Sequence, residues 1–268
     1  RRRPDVVLSM GGFVAGPGGL MAWLTRTPLV VHEQNAVPGM TNRWLASVAR
    51  RVLTGFPGAF GAMTAAQHVG NPVRAEIIAI AAPDERLPGR VGRLRLLVVG
   101  GSQGARVFND IVPQALRTMA AAARPEVWHQ CGRDAHEHTR RAYGEVAARV
   151  SEFIDDMAAA YAWADVVICR AGAMTIAELA AAGCAAILVP YPHAVDDHQT
   201  ANARYLVDRD AAILLPQAEL STARLAEILG ELGSHRDVLL RMAAAARACA
   251  SPDAADAVAQ VCLELIHA

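Results

Sequence analysis

The chain has 268 residues, 53% hydrophobic against 19% charged, a balance that supports packed cores and excludes a disordered protein. Its 26 basic residues are all arginine and equal the 26 acidic ones, so no global positive field recruits nucleic acid. Five cysteines (Cys131, Cys169, Cys184, Cys249, Cys262) form no CxxC pair and read as reduced thiols of the cytoplasm.

Apolar runs alternate with helical patterns, the signature of βαβ units and parallel sheets. The opening RRRPD runs straight into a strand, with no signal-peptide pattern. In the first block a strand over 5–10 leads to a glycine loop over 11–19, then a helix over 20–25. A strand over 28–32, a helix over 40–49 and a strand over 51–56 follow, then a segment ending in VGNPVR (69–74). Three or four strands are half of what an open nucleotide-binding sheet needs. This block is therefore either a small appendage or the later part of a domain. Residues 79–93 carry prolines, glycines and charges without apolar period and read as a linker.

The second block is more regular. Strands over 94–100, 126–131, 150–154, 165–169, 185–190 and 211–215 alternate with helices from about 104 and over 134–147, 155–163, 173–182 and 198–207. Together they predict a six-stranded doubly wound unit. Two helices close the chain, over 235–249 and 252–267. Ala254, Val258, Val261, Cys262 and Leu265 give the last one a single apolar face. The longest uncharged run, Leu179 to Val195, contains Gly183, Pro190 and Pro192 and divides into a helix end, a strand and a loop. It is no membrane span, so any membrane contact is expected to be peripheral.

Three glycine-led helix starts carry the chemistry. Strand 94–100 runs into Gly100, Gly101, Ser102, Gln103 and Gly104, which would turn backbone N–H groups and a positive helix end toward an anion. A tight βα turn is the competing reading. Ser102 breaks the G-x-G-x-x-G dinucleotide fingerprint, and the next strand ends WHQCG without an acidic residue, which disfavours a dehydrogenase. Gly11, Gly12, Gly16, Gly18 and Gly19 form a second loop, richer in glycine than a simple turn requires. The third start, Arg170 to Glu178, follows strand 165–169. Arg170 at the strand's carboxyl end could pair with phosphate, and Glu178 could accept two vicinal hydroxyls of a ribose, with a solvated helix charge as the alternative. In HAVDDHQTAN (193–202), Gln199 and Asn202 share a helix face with His198 alongside, as sugar-binding candidates. Asp208-Arg209-Asp210 is a formal DxD, read as a solvated helix end, and no metal site or cofactor is expected. Charge on a departing diphosphate would then fall to helix N-termini and arginines.

HEQN (32–35), FPGAF (56–60), VGNPVR (69–74), VVGGSQGAR (98–106), the run 152–179 and DHQTANA (197–203) together resemble the MurG-type glycosyltransferases across essentially the whole chain. The resemblance implies a GT-B fold, α/β with two Rossmann-like domains facing a cleft. Residues 1–78 would be the later part of the N-terminal (acceptor) domain, 79–93 the linker and 94–250 the UDP-N-acetylglucosamine-binding domain. A helix over 251–268 would cross back to the first domain. The implied reaction moves N-acetylglucosamine, with inversion, from UDP-N-acetylglucosamine to the 4-hydroxyl of undecaprenyl-diphosphate-linked muramoyl-pentapeptide. This is the lipid I to lipid II step of peptidoglycan synthesis, and with it cell shape and division, at the cytoplasmic face of the bacterial inner membrane.

The resemblance also implies site roles. Ile154, beside Phe153, would meet the uracil through backbone groups. Glu178 would hold the ribose, and Ser102, Gln103, Gly104 and Arg74 the diphosphate. Ala173, Met174 and Thr175, with Ile176 and Ala177 on the helix they open, would lie at the α-phosphate side. Asn35, His198, Gln199 and Asn202 would surround the sugar, and Gly11, Gly12, Gly16 and Gly18 the acceptor diphosphate. Ala171 stands where the family often has Ser. The family's opening GGTGGH-type loop, which carries its candidate base, does not occur here, so the first domain is expected to be incomplete. His32 and Glu33 are the base candidates present, with structural roles as the competing reading. Phe56, Phe60 and Met63 are candidates for a membrane-resting surface, with a core role equally open. The alternative function is a non-catalytic fragment that binds UDP-sugar and transfers nothing.

Overall fold

Two parallel sheets organise the chain in a computed structural model that describes residues 4–61, 65–101 and 103–266. The first sheet is built from β1 (Val7–Ser9), β2 (Leu29–Glu33), β3 (Arg51–Thr54) and β4 (Ala66–His68), in that order. Helix α1 (Ala15–Leu24) connects β1 to β2, and α2 (Met40–Ala46) connects β2 to β3. The strand at 66–68 has no counterpart in the sequence reading, because Ala66-Gln67-His68 is too short and polar to show an apolar run. Two short helices, α3 (Ala75–Ile78) and α4 (Pro83–Arg86), lead to the second sheet.

That sheet contains β5 (Arg95–Val99), β6 (Glu126–Gln130), β7 (Arg149–Ser151), β8 (Val166–Cys169), β9 (Ala185–Leu188) and β10 (Ala212–Leu214). Its helices are α5 (Arg106–Thr118), α6 (His136–Tyr143), α7 (Met157–Trp163), α8 (Ala173–Ala182) and α9 (His198–Val207). They are followed by α10 (Thr222–Ser234), α11 (Arg236–Ala248) and α12 (Ala254–Ile266). The spatial order is β10-β9-β8-β5-β6-β7, with every pairing parallel. The central strands β8 (VVIC) and β9 (AAIL) are buried at every position, as expected of strands covered by helices on both faces. Strand order reverses between β5 and β8, and a doubly wound sheet opens its ligand crevice at such a switch point, beyond the carboxyl ends.

Three corrections to the sequence reading arise here. The glycine loop expected over 11–19 is short, because α1 already begins at Ala15 and takes Gly16 and Gly18 into its first turns. Pro17 suits that first turn, where its missing N–H has no partner to lose. Helix α10 was not anticipated. Gly230 and Gly233 weaken its propensity, yet Leu225, Ile228, Leu229 and Leu232 are buried in the core and Ser221 caps its first turn through the Arg224 N–H at 3.2 Å. The 79–93 segment is not a free tether. Ile80 and Pro83 are buried, and Arg86 donates to the carbonyls of Tyr161, Ala164, Ala182 and Gly183 at the ends of α7 and α8. Arginines suit helix C-termini, where carbonyls lack intrahelical partners and the dipole is negative. Arg90 adds bonds to Ala162 and Trp163 and an ion pair to buried Asp165 at 2.7 Å.

Helix α12 returns to the first sheet. Val258 and Val261 form one buried cluster with Val30 of β2 and Leu53 of β3, with Cys262 and Leu265 at its edge. Phe56, a candidate surface residue, is buried and meets Tyr205 of α9 edge-on at 5.0 Å. The two sheets therefore share packed contacts as well as a cleft. Met63 lies outside the described residues.

Candidate functional site

The cleft is bounded by the loop after β5, the start of α8 after β8, the 191–199 segment after β9, and the loop after β2. Gly101 has φ +82 and open space where a side chain would stand, and its carbonyl accepts from the buried Gln130 Nε2 at 3.0 Å. Gly104 has a different cause. Its φ is +73, and a Cβ there would collide with the Cys131 carbonyl, so this glycine lets two loops touch. Ser102 lies outside the described residues, and Gln103 is exposed beside it. Behind the loop, buried His129 bonds Tyr143 Oη at 2.7 Å and Asn109 Oδ1 at 3.0 Å, while Asn109 donates to the Cys131 carbonyl. Burial pushes His129 down to about 3, so it is neutral and structural.

Helix α8 opens at Gly172, which has extended backbone and no side-chain cap, so the first-turn amides are offered forward. Met174 is partly exposed, and Thr175, Ala177 and Glu178 are half-buried. The side chains of Ala173 and Ile176 are core, so it is their backbone that the first turns offer to a ligand. Ile154 is likewise core, leaving its backbone near a depression of about 380 Å³ lined by Arg74, Glu76, Ile77 and 155–158. Phe153 beside it is exposed.

Glu178 occupies the cleft wall one turn and a half into α8. Its Oε2 accepts from Tyr161 Oη at 3.0 Å, and its Oε1 lies 3.4 Å from Arg74 Nη2, which reaches across from the first unit. Tyr161 is buried, and its role was not visible in the sequence, where it reads as one more apolar position of α7.

Several expected ligands are engaged elsewhere. Arg170 donates to the carbonyls of Val189 and Pro190 and to Gln217 Oε1 at 2.7 Å, tying down the end of β9 instead of facing an anion. Fully buried Asn202 accepts from the Ala36 N–H at 2.8 Å and donates to Asn35 Oδ1 and the Ala171 carbonyl. With its amide used up, Asn202 joins the two units and does not reach a sugar. Asn35 is partly engaged as well, since its amide donates to Glu33 and its Oδ1 accepts from Asn202. Gln199 accepts from the Tyr191 N–H at 2.9 Å through its Oε1, with His198 half-buried beside it. His193, from the same run, stacks edge-on against Tyr191.

The two base candidates are structural. Glu33 accepts four hydrogen bonds, from the N–H groups of Asn35 and Gly39 and the side chains of Asn35 and Asn42. His32 is buried between the Gly70 carbonyl at 2.9 Å and Gln34 Nε2 at 3.0 Å, and burial lowers its pKa. Gly11 and Gly12 do form a turn at φ +83 and +78, with open space above Gly12, whereas Gly16 and Gly18 belong to α1. Asp208-Arg209-Asp210 is the turn closing α9, with Arg209 bonded back to the Tyr205 carbonyl. Among the described residues no group of three His, Cys, Asp or Glu side chains is arranged to hold a metal.

Comparison with known proteins fits this geometry. Residues 95–259 match the glycosyltransferase family 28 C-terminal domain, and residues 1–54 match its N-terminal domain. The chain belongs to glycosyltransferase family 28. It is 57% identical, over 98% of its length and 73% of the relative's, to the Marinobacter nauticus UDP-N-acetylglucosamine--N-acetylmuramyl-(pentapeptide) pyrophosphoryl-undecaprenol N-acetylglucosamine transferase. The Aromatoleum aromaticum enzyme of that name is 60% identical over 99% of this chain and 73% of its own. The Acinetobacter baumannii MurG crystal structure superposes with TM-score 0.87 at 40% identity, covering 97% of this family 28 chain and 73% of that one. GT-B architecture, two parallel-sheet α/β units about a cleft, follows for this member of the family.

Proposed function

We propose that the protein transfers N-acetylglucosamine from UDP-N-acetylglucosamine to undecaprenyl-diphosphate-linked muramoyl-pentapeptide, the lipid I to lipid II step of peptidoglycan synthesis. The observation that carries this reading is α8. One helix offers uncapped N–H groups at the sheet's switch point and, five residues on from Ala173, a half-buried carboxylate whose Oε2 is held by Tyr161 and whose Oε1 faces Arg74. The first suits a diphosphate and the second a pair of ribose hydroxyls. Arg74, Gly101 and Gln103 complete the anion side. The half-buried His198 and Gln199 face the sugar.

Departure of UDP needs charge stabilisation, and the α8 dipole with Arg74 supplies it. Electrostatic pre-organisation of this kind is worth about 3–4 kcal/mol for each well-placed donor. The attacking 4-hydroxyl must lose its proton to a group other than His32 or Glu33, both fully engaged.

The acceptor's lipid requires contact with a bilayer surface, and no helix among the described residues is long and apolar enough to span one. Helices α1 and α2 lie side by side and, with the turn that opens α1, expose Phe13, Val14, Met21, Leu24, Met40 and Trp44. Phe13 and Met40 are 87% and 85% exposed, beyond what a monomer's polar surface needs. We assign the membrane-resting face to this patch, at the cytoplasmic side where UDP-sugars are available, in place of the buried Phe56.

The test pairs calorimetric UDP binding with turnover on lipid-linked acceptor. Binding and turnover, both weakened by Glu178→Ala, support the reading. Binding without turnover favours the binding-fragment alternative, and no UDP binding overturns both.

A further inference from the structure

We propose that Tyr161 is a positioning residue for the donor nucleotide, holding Glu178 in the rotamer that accepts the ribose hydroxyls. The inference rests on the assignment of Glu178 to the ribose and extends it to a residue that never touches the ligand.

A glutamate has three rotatable side-chain bonds, and freezing such a chain costs conformational entropy, worth roughly tenfold or more in affinity. A carboxylate that must accept two hydroxyls at once needs both oxygens in one plane and at one height above the helix. An exposed glutamate satisfies that geometry only part of the time. Glu178 is restrained from both ends. Oε2 accepts from Tyr161 Oη at 3.0 Å, and Oε1 faces Arg74 Nη2 at 3.4 Å.

The two restraints differ in kind. Arg74 is more than half exposed and belongs to the other unit, so its hold on Glu178 is screened by solvent. Tyr161 is 1% exposed and lies on α7, with its hydroxyl turned to Glu178 of α8. Its backbone carbonyl accepts from Cys184 Sγ at 3.5 Å and from Arg86 Nη1 at 3.4 Å, so the ring is anchored on the second unit. Burial and the nearby carboxylate raise the tyrosine's pKa well above its ordinary value, which keeps the hydroxyl a donor. A carboxylate oxygen has a second lone pair, so the Tyr161 bond leaves Oε2 able to accept a ribose hydroxyl. Pre-organisation by a buried donor moves the ordering cost from the binding step to folding.

The experiment compares UDP with 2′,3′-dideoxy-UDP by calorimetry on the full chain and its Tyr161→Phe, Glu178→Ala and doubly substituted forms. Thermal melting confirms that each is folded. Tyr161→Phe keeps the ring, so the packing between α7 and α8 survives. It should weaken UDP about tenfold, the scale of the side-chain ordering that the binding step would then have to supply. It should leave the dideoxy analogue within about twofold, and in the Glu178→Ala background it should do nothing further, because coupled residues are not additive. Equal weakening of both nucleotides by Tyr161→Phe, or unchanged UDP affinity while Glu178→Ala still weakens it, overturns the positioning role alone. Unchanged UDP affinity in Glu178→Ala removes the ribose assignment on which the proposal depends.

Discussion

Asn202 Nδ2 donates to Asn35 Oδ1 at 3.1 Å, across 167 positions of sequence and from one side of the cleft to the other. With the Ala36 N–H on its Oδ1 and the Ala171 carbonyl on its second hydrogen, this amide is fully satisfied without solvent. Three polar groups would lose their partner together if it were removed. Asn202→Ala is expected to lower unfolding free energy by roughly 3 kcal/mol, the scale of buried donors and acceptors left unmade. Arg43→Ala breaks the rim ion pair to Asp196, 3.8 Å long between two exposed side chains, and should change stability by less than about 0.5 kcal/mol. Urea denaturation distinguishes the two, and equal midpoints would remove the bridging role of Asn202.

Arg170 gives a sharper contrast with the sequence reading. Its bonds to Val189, Pro190 and Gln217 make it a brace for the carboxyl end of β9. Arg170→Ala should therefore cost about 2 kcal/mol of stability through unpaired carbonyls. Arg170→Lys should recover little of it, because an ammonium lacks the planar fork that spans these acceptors. At temperatures where the variant is folded, its UDP affinity should fall less than that of Glu178→Ala. A larger fall in calorimetry would return Arg170 to the phosphate.

Most of the architecture was legible because the central strands β8 and β9 are uninterrupted apolar runs, and helices α8 and α9 start after glycine or aspartate at readable positions. What escaped had physical reasons. β4 is a three-residue segment, Ala-Gln-His, whose identity as a strand comes only from pairing with β3. α10 depends on tertiary burial that outweighs its two glycines. Side-chain allegiance was harder still. Arg170 follows the carboxyl end of β8 and Asn202 lies in the first turns of α9, both on the side of the sheet where ligands bind, and nothing local distinguishes a ligand from a brace. Glu178 and Tyr161 sit 17 positions apart, so their pairing exists only once α7 and α8 pack. Glycines were ambiguous for a similar reason: Gly101 and Gly104 share a positive φ, but only Gly104 has a carbonyl where its side chain would be.

Asp165 anchors the segment between the two units. It is nearly inaccessible and accepts from Arg90 at 2.7 Å, Arg236 at 2.6 Å and the Arg95 N–H at 2.9 Å. Asp165→Ala leaves two arginines facing each other without their counter-ion, and should destabilise by about 3–5 kcal/mol, as removal of one partner from a buried pair does. Glu137→Ala breaks the exposed Arg141 pair and should shift stability by no more than about 0.5 kcal/mol. Thermal melting of both variants checks the difference, and a mild effect of Asp165→Ala would mean that water reaches the cluster.

Acid should weaken the fold through buried histidines. His129 is held at about 3 by burial against an ordinary value of 6.5, and His32 is lowered for the same reason. Between those limits the unfolded chain binds a proton that the native chain refuses. Stability therefore rises with pH across this window and is lost as pH falls below about 6.5. Each neutral buried histidine contributes a slope of up to about 1.4 kcal/mol per pH unit, so His129 alone should remove about 2 kcal/mol on going from pH 6.5 to pH 5. His129→Gln keeps hydrogen-bonding capacity toward Tyr143 and Asn109 but cannot titrate. Its urea midpoint should be lower than the parent's at pH 7.5, yet fall less between pH 7.5 and pH 5. Parallel slopes in parent and variant would show that acid enters the fold somewhere else.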